Sequence, residues 1–462
     1  MDWPPARTAR QIALKVLHRW QETGEFVAGL LDGAFQQASE LKSADRGLAS
    51  DLVLGVVRRR ATLAAILKPR LKRPPEQVEP LLWLLLQVGT YQLLYHSADS
   101  QHASVHETVE LAKWMRKNRW VGFANGVLRS VQRDLPGDHE SAGISDPAAD
   151  ALPLGHRRFL KLARPLLPDP QDDPNGYLCA AGSLPAWLVA EWSTRHSFDE
   201  LLERAAWFNE PAAIWLRVNP LATTGTDALA RLADAGVDGS LEAGEQMIRL
   251  AGTAHVPGLP GFSEGHISVQ DPSAAHAAQL LAPAPGDRVL DLCAAPGTKS
   301  THLAELMENR GEVVAVDSHP GRLALVPSGA ERLGLDIIRA VLVDEEGHNL
   351  PEGPFDGVLV DVPCSNTGVL GKRPEARWRL EATEPARLAV LQARLLRQAA
   401  SRVRPGGRLV YSTCSIEPVE NEDLVSAFLD DHDEFSLQAQ VLHQPGQPAD
   451  GGFQALLERR NA

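Results

Sequence analysis

The strongest constraint on the fold is an alternation of short apolar runs with helix-like segments from about residue 263 to residue 462. Three of the runs, at 288–290, 357–360 and 407–411, have the length of buried strands. Such an alternation is typical of an α/β domain built on a mostly parallel, doubly wound sheet. The sequence therefore predicts one such domain in this part of the chain.

Two cysteines follow two of these predicted strands. Cys364 comes directly after the second run and Cys414 comes directly after the third. Ligands and reactive groups of open α/β sheets gather at the carboxyl ends of the strands. A thiol at that position is better placed for nucleophilic catalysis than a thiol inside a strand. We therefore interpret Cys364 and Cys414 as reactive, and Cys179 and Cys293 as small buried hydrophobic residues.

The segment 291–299 joins the first of these strands to a helix and contains a glycine and two alanines. Small residues let backbone N–H groups approach a ligand, and a helix N-terminus favours negative charge. Asp317 follows the next apolar run, where a carboxylate suits ribose hydroxyls. Asp344 follows the run after that, where it suits an adenine amino group. Together with Asp291 these acids predict an adenosyl ligand, whereas any one of them alone is more often a helix cap or turn residue.

The formal net charge of −13 is unevenly distributed along the chain. Residues 1–135 contain 19 Lys and Arg against 13 Asp and Glu, so the remaining residues contain 27 against 46. A basic module attached to an acidic body is typical of a nucleic-acid enzyme. The alternative is an ordinary drift of surface charge.

Apolar residues recur at helical spacing through residues 1–138, which predicts an all-helical domain. Its basic cluster at 113–120 mixes cations with two tryptophans, which suits phosphate contact and base stacking. The alternative is a solvated helix face whose tryptophans turn inward.

Three further segments complete the predicted organisation. The proline-rich segment 139–178 is predicted to be a mobile linker with one helix near 157–166. Residues 179–262 combine helical patterns with a strand-like run at 214–219, which predicts a small α+β domain. Residues 263–462 form the predicted α/β domain.

The composition favours a cytoplasmic protein that binds neither metal nor membrane. Its four cysteines lack metal-like spacing and are too sparse for a disulfide scaffold. The longest apolar stretches are far shorter than a membrane span of about 20 residues. The N-terminus lacks the layout of a signal peptide. We therefore expect a monomer in the reducing cytoplasm.

Several short segments form recognisable motifs, namely 45–46, 55–58, 86–93, 102–110, 122–129, 268–273, 293–299, 361–365, 411–415 and 418–422. The last five resemble motifs of the RNA (cytosine-5) methyltransferases that use S-adenosylmethionine. The first 135 or so residues, with the first five segments, resemble the NusB-like helical RNA-binding domain of the subfamily that modifies bacterial 16S rRNA. The part around 217–219 resembles the small α+β RNA-recognition subdomain of that subfamily, so the resemblance implies a Rossmann-like methyltransferase domain after these two.

The resemblance implies a role for each matching residue. Cys414 matches the nucleophile that attacks C6 of the target cytosine, and Cys364 matches the cysteine that assists loss of the C5 proton and product release. Asp361 matches the acid that hydrogen-bonds the cytosine ring at N3 and N4. Lys299 would lie near the site and hold a thiolate or a carboxylate. The implied cofactor is S-adenosylmethionine, with contacts from Cys293, Ala294, Ala295, Pro296, Gly297, Thr298, Lys299, Asp317, Asp344 and Asp361.

The resemblance implies 16S rRNA, or a small subunit during assembly, as the partner. The target base has to be unpaired or flipped out, because C6 is inaccessible in a stacked helix. The alternatives are a cytosine of tRNA or of another rRNA, and a non-catalytic RNA-binding or ribosome assembly factor. Thr298, Val362 and Asn366 depart from the family's usual glycine, alanine and glycine, but none of these departures removes a reacting group.

Overall fold

The structure is a computed structural model that describes residues 3–97, 101–136, 143–144, 146–242, 244, 246–252, 254–344, 346–446 and 449–461. The chain divides into two compact units. The first comprises Met1–Pro211 and Leu370–Glu381, and the second comprises Ala212–Val369 and Ala382–Ala462.

The described residues up to 136 confirm the predicted all-helical domain. Its helices are α1 (Ala9–Thr23), α2 (Val27–Gln37), α3 (Ser43–Arg58), α4 (Arg60–Leu67), α5 (Pro80–Tyr95), α6 (Gln101–Trp114) and α7 (Asn118–Gln132). Helix α5 is buried on almost all sides, so it forms the centre of the bundle. Gly55 of α3 is required here, because a Cβ on it would lie 2.0 Å from the Tyr91 ring of α5. Neither α5 nor any other described helix is long and apolar enough to cross a membrane.

The two tryptophans of the basic cluster pack inward. Trp120 is 4% exposed, and the Trp114 ring centroid lies 5.4 Å from that of Trp3. Lys117 and Arg119 both form ion pairs with Glu79. The burial of Trp120 excludes it as a base-stacking group and favours the alternative of a solvated face with inward tryptophans, whereas Trp114 is only partly buried.

The described part of the predicted linker is folded, with residues 137–142 and 145 outside the described residues. Instead of a helix near 157–166, strand β3 pairs with its neighbours in a small antiparallel sheet. Leu152, Leu160 and Leu162 are buried in the same core as the N-terminal helices. Burial of these apolar side chains outweighs the polar, proline-rich composition that suggested a linker. The elements here are β1 (Gly143–Ile144), β2 (Ala151–Gly155), β3 (Arg158–Lys161), α8 (Pro174–Ala180), α9 (Ala186–Trp192) and α10 (Phe198–Asn209).

The second unit begins with a small antiparallel sheet. Its elements are β4 (Trp215–Val218), α11 (Gly225–Asp234), β5 (Gly239–Glu242), β6 (Met247–Leu250) and β7 (Ile267–Val269), with strand order β5-β6-β4-β7. Leu232 of α11 shares a core with Leu216 and Ile248 of the sheet. The predicted strand at 214–219 is thus present as β4.

A seven-stranded sheet forms the body of the second unit, in the order β10-β9-β8-β11-β12-β14-β13. Strands β8 to β12 are parallel, and β14 is antiparallel to both of its neighbours. Separate apolar clusters cover its two faces, which confirms the predicted doubly wound architecture. The strands are β8 (Arg288–Leu292), β9 (Glu312–Asp317), β10 (Ile338–Leu342), β11 (Phe355–Asp361), β12 (Val403–Thr413), β13 (Phe435–His443) and β14 (Gly452–Arg459). The helices are α12 (Pro272–Leu281), α13 (Thr298–Leu306), α14 (Pro320–Leu323), α15 (Leu325–Leu333), α16 (Ala376–Arg379), α17 (Glu384–Ala400) and α18 (Glu422–Asp431), of which α16 belongs to the first unit.

The segment Leu370–Glu381 is held in the first unit by a fully buried arginine. Arg377 is 1% exposed. Its guanidinium donates hydrogen bonds to the carbonyl oxygens of Arg58, Ser183, Phe208 and Leu370 and to Oδ1 of Asn209. A planar group with five donors can satisfy several carbonyl groups at once. This one side chain therefore ties together four separate stretches of the first unit.

Replacement of this arginine by an apolar residue of similar length tests its contribution. Arg377→Met leaves the buried carbonyl oxygens without donors, so we expect the first unit to lose about 2–4 kcal/mol of stability. Hydrogen exchange of α3 and α10 amides in increasing urea measures this loss. Arg379→Met, at an exposed position of the same helix, is the control. A loss no larger than that of the control would contradict the anchoring role.

Candidate active site

The loop between β8 and α13 has two residues in the left-handed region, Cys293 with φ of 64° and Gly297 with φ of 103°. A Cβ on Gly297 would lie 3.2 Å from Cα of Val326. Both the backbone conformation and this close approach therefore favour glycine. Gly297 is the N-cap of α13. The N-terminus of that helix, with its first backbone N–H groups, therefore lies at the carboxyl edge of the sheet.

Two of the three strand-end acids are fixed around this loop. The Asp317 carboxylate accepts hydrogen bonds from the backbone N–H groups of Ala295, at 3.1 Å, and His319, at 2.9 Å. Asp291 is wholly buried and accepts a 2.6 Å hydrogen bond from Ser300 Oγ, and burial raises its pKa to about 7. Asp317 therefore lies beside the loop at the carboxyl edge of the sheet, whereas Asp291 supports the loop from within.

The third acid, Asp344, lies just beyond the end of β10. It is partly exposed, with a side chain 38% accessible, and it accepts a 2.9 Å hydrogen bond from the N–H of His348 in its own turn. Backbone hydrogen bonds within this turn, that from His348 first, lower the pKa of Asp344. Since β10, β9 and β8 are neighbours in parallel register, Asp344 lies at the same edge of the sheet as Asp317.

A lysine–aspartate ion pair spans the ends of the loop and of β11. Lys299 Nζ donates a 2.7 Å hydrogen bond to Oδ2 of Asp361, whose Oδ1 accepts one of 3.0 Å from Ser412 Oγ. Burial alone would lower the pKa of Lys299, but Asp361 and charge on Cys414 raise it above its ordinary value. Lys299 therefore stays an ammonium ion beside Asp361 and close to Cys414.

The two predicted reactive cysteines are in contact. Their Sγ atoms are 3.0 Å apart, because β11 and β12 pair in parallel with Asp361 opposite Ser412. The hydrogen bond with Cys414, burial, charge on Cys414 and charge on Glu420 together raise the pKa of Cys364 well above its ordinary value. The raised pKa favours the protonated form of Cys364.

Asn366 takes the place of the family's usual glycine without loss of backbone geometry. Its φ is 62°, in the left-handed region that asparagine tolerates better than most residues. Its Nδ2 donates a 2.7 Å hydrogen bond to the carbonyl oxygen of Cys364, and its Oδ1 lies 3.4 Å from Sγ of Cys414. The asparagine therefore contacts both cysteine loops, which a glycine could not.

The other two cysteines lie in different surroundings. Burial and the neighbouring carboxylates, Asp317 first, raise the pKa of Cys293, and burial raises that of Cys179 in α8. Both residues are partly buried. Their raised pKa values favour the protonated, unreactive form.

A buried ion pair behind the loop was missed by sequence reasoning. Arg217 of β4 donates 2.8 Å hydrogen bonds from Nε and Nη2 to the Glu305 carboxylate of α13. It also donates to Oγ1 of Thr301 and to the carbonyl oxygen of Thr298. The small sheet is thereby bonded to the helix that begins at the loop. The sequence feature that could have indicated this ion pair is a charged residue inside the otherwise apolar strand β4.

Of the predicted site residues, the structure brings Lys299, Asp361, Cys364 and Cys414 together at the carboxyl ends of β11 and β12. The predicted cofactor contacts lie at the neighbouring ends of β8, β9 and β10. Ala294, Ala295 and Gly297 are buried in the loop, Pro296 is exposed, and Thr298 begins α13.

Three family models match consecutive parts of the chain. The model for the 16S rRNA methyltransferase RsmB/F matches residues 278–458. The model for the NusB family matches residues 7–133. The model for the RsmF/B-like ferredoxin-like domain matches residues 184–257. The resemblances on which the fold was predicted are thereby confirmed.

Curated relatives match almost the whole chain. The chain is 34% identical over 433 residues to a probable ribosomal RNA small subunit methyltransferase B of Bacillus subtilis (strain 168), covering 93% of this chain and 89% of that protein. It is 33% identical over 455 residues to the ribosomal RNA small subunit methyltransferase B of Klebsiella pneumoniae (strain 342), covering 97% and 94%.

Solved structures share the fold. The crystal structure of PH0851 matches with a TM-score of 0.78 and 24% identity over 99% of this chain and 100% of that one. The structure of NSun6 from Pyrococcus horikoshii with SFG matches with a TM-score of 0.54 and 19% identity over 60% of this chain and 99% of that one. The family model and the curated relatives show that the chain belongs to the RsmB/F family of 16S rRNA methyltransferases.

Proposed function

We propose that this protein methylates C5 of a cytosine in 16S rRNA, with S-adenosylmethionine as methyl donor and a covalent bond between Cys414 and C6 as intermediate. The observation that carries the proposal is the 3.0 Å contact between the thiols of Cys364 and Cys414. An ammonium–carboxylate pair, Lys299 and Asp361, lies beside them. The names of the relatives support small-subunit rRNA as substrate over tRNA. A ribosomal substrate would place the protein in the cytoplasm.

The residues at the ends of β8 and β9 fit the cofactor. Two backbone N–H groups fix the Asp317 carboxylate, which leaves lone pairs for ribose hydroxyls. The small side chains of the loop 293–297 give a ligand access to backbone N–H groups. Asp344 would contact the adenine, and Asp361 would contact the amino acid part. When bound, S-adenosylmethionine supplies an electrophilic methyl group.

Attack on the base requires an ionised Cys414. The ammonium of Lys299 favours a thiolate there, since opposite charges stabilise each other in a site of low dielectric. The thiolate sulfur adds to C6 and breaks the C5–C6 double bond, which leaves C5 nucleophilic. As the adduct forms, N3 of the cytosine would take up a proton, which neutralises the negative charge that develops on the ring. The Asp361 carboxylate would accept hydrogen bonds from this protonated N3 and from the N4 amino group. This addition prepares C5 for alkylation.

Release requires a base for the C5 proton. Once the sulfur of Cys414 is bonded to C6 it is neutral, and it no longer raises the pKa of Cys364 by charge. The Cys364 thiol can then lose its proton to solvent and, as a thiolate, take the proton from C5. The C5–C6 double bond re-forms, and Cys414 leaves as a thiolate. Before attack, charge on Cys414 helps to keep Cys364 protonated. After attack that charge is gone, so Cys364 can ionise and act as the base.

Replacement of the proposed nucleophile is the first test. With 16S rRNA or assembling small subunits from cells that lack this protein, Cys414→Ala should reduce methyl transfer about 10³-fold or more, because no covalent step remains. Incorporation of labelled methyl groups measures the loss, and mapping of 5-methylcytosine identifies the target. Cys179→Ala, in the first unit, is the matched control. Activity that survives in Cys414→Ala would rule out the nucleophile assignment.

The second cysteine has a different expected phenotype. Cys364→Ala leaves attack and methyl transfer possible but removes the base for the C5 proton, so a covalent protein–RNA adduct should accumulate. A shifted band on a denaturing gel reports the adduct. The double variant Cys364→Ala with Cys414→Ala should show no such band. A single variant that turns over without an adduct would contradict the release role.

Thiol labelling tests the order in which the two cysteines ionise. At about pH 8 an alkylating reagent should modify Cys414 before Cys364, because only thiolates react and Cys364 has the raised pKa. In Cys414→Ala the partner that raises this pKa is gone, so labelling of Cys364 should shift to lower pH. Peptide mass spectrometry quantifies the alkylation of Cys364 and of Cys414 at each pH. Labelling of Cys364 first in the unaltered protein would reverse the assignment.

A further inference from the structure

Glu420 lies fully buried beneath the two cysteine loops. It belongs to the 3₁₀ turn Pro418–Glu420, which precedes α18, and its exposed fraction is 0%. Its Oε1 accepts hydrogen bonds of 2.9 Å from the N–H of Ser365 and 2.8 Å from Nε2 of Gln392. Its Oε2 accepts hydrogen bonds from Oγ of Ser365 and of Ser415. One carboxylate therefore accepts four hydrogen bonds.

The residues bonded to Glu420 are the direct neighbours of the reactive cysteines. Ser365 follows Cys364 and Ser415 follows Cys414, and the two hydroxyl oxygens lie 3.0 Å apart. Gln392 of α17 also donates a 2.9 Å hydrogen bond to the carbonyl oxygen of Pro363. The Tyr411 hydroxyl donates a 2.7 Å bond to the carbonyl oxygen of Glu420 itself. The Glu420 carboxylate is thus bound to both cysteine loops, and the Tyr411 hydroxyl holds the backbone of Glu420.

We propose that Glu420 is a positioning residue that sets the separation of the Cys364 and Cys414 thiols and thereby couples nucleophilic attack to product release. The inference rests on the proposed function and adds a residue that never touches the base or the cofactor. A buried carboxylate is stable only when hydrogen-bond donors surround it. The groups of Ser365, Ser415 and Gln392 that donate to Glu420 are therefore held in one arrangement. Small displacements of reacting groups cost large factors in rate.

Glu420 accepts two hydrogen bonds from the Cys364 loop, through the N–H and the hydroxyl of Ser365, and one from the Cys414 loop, through the hydroxyl of Ser415. The Cys364 loop also has bonds at the carbonyl oxygens of Pro363 and Cys364. The Cys414 loop has other bonds, because Asn421 donates a 3.0 Å hydrogen bond to the carbonyl oxygen of Ser415 and Gly368 donates one of 3.0 Å to that of Cys414. The N–H of Ser365 binds Glu420 alone among the hydrogen bonds of the described residues. Loss of Glu420 should therefore displace Cys364 more than Cys414, and impair release more than attack.

The decisive variant is Glu420→Ala in the full-length protein. Turnover should fall about 100-fold, the KM for RNA should stay unchanged, and a covalent adduct should accumulate although both cysteines are present. Asp423→Asn is the matched control, since it removes an acid from an exposed position of α18. A folded Glu420→Ala protein that matches the control in turnover and forms no adduct would overturn the proposal.

Glu420→Gln keeps the size of the side chain and tests the proposal if the alanine variant does not fold. One amide oxygen can still accept from Ser365 and Gln392, so turnover should be higher and the adduct scarcer than in Glu420→Ala. The amide N–H₂ of the glutamine faces the two serine hydroxyls in place of an acceptor, so turnover should still be lower than in Asp423→Asn. Turnover equal to that of Asp423→Asn with no adduct would overturn the proposal. Failure of the unaltered protein to methylate rRNA would instead refute the proposed function.

Discussion

The parallel pairing of β11 with β12 is the interaction on which the rest of the site depends. It places Asp361 opposite Ser412, and the residues that follow each strand bring two thiols to 3.0 Å. Neither cysteine loop would meet the other if the strands were not neighbours in this register. A shift of the register by one residue would turn each side chain to the opposite face of the sheet. The chemistry therefore depends on the sheet rather than on the local sequence of either loop.

Charge at this edge acts on both thiols. Lys299 is bonded to Asp361 and interacts with Cys414, whereas the hydrogen bond with Cys414, burial, and charge on Cys414 and Glu420 raise the pKa of Cys364. In the proposed mechanism the two cysteines have different roles. In the proposed reaction, the bond between Cys414 and C6 removes the charge on Cys414 that raises the pKa of Cys364. Nucleophilic attack therefore prepares Cys364 for loss of the C5 proton.

The sequence was informative wherever function depends on the ends of parallel strands. Cys364 and Cys414 were predicted at the carboxyl ends of their strands because strand–helix alternation implies one shared carboxyl edge, and the family resemblance added Asp361. Arg217 and Arg377 were not predicted, since their burial depends on acceptors from distant segments, such as Glu305 for Arg217. The supposed linker was misread because composition is local, whereas Leu160 is buried by helices distant in the sequence.

The most direct test of the central claim, a covalent bond between Cys414 and the target base, uses a substrate that cannot be released. A 16S rRNA fragment carrying 5-fluorocytidine at the mapped target has no C5 proton to lose, so the enzyme with S-adenosylmethionine should become permanently attached. Mass spectrometry of the digested complex should find the methylated base on the peptide that contains Cys414. Attachment through Cys364 or Cys293, or no attachment by a protein that methylates the ordinary fragment, would contradict the mechanism.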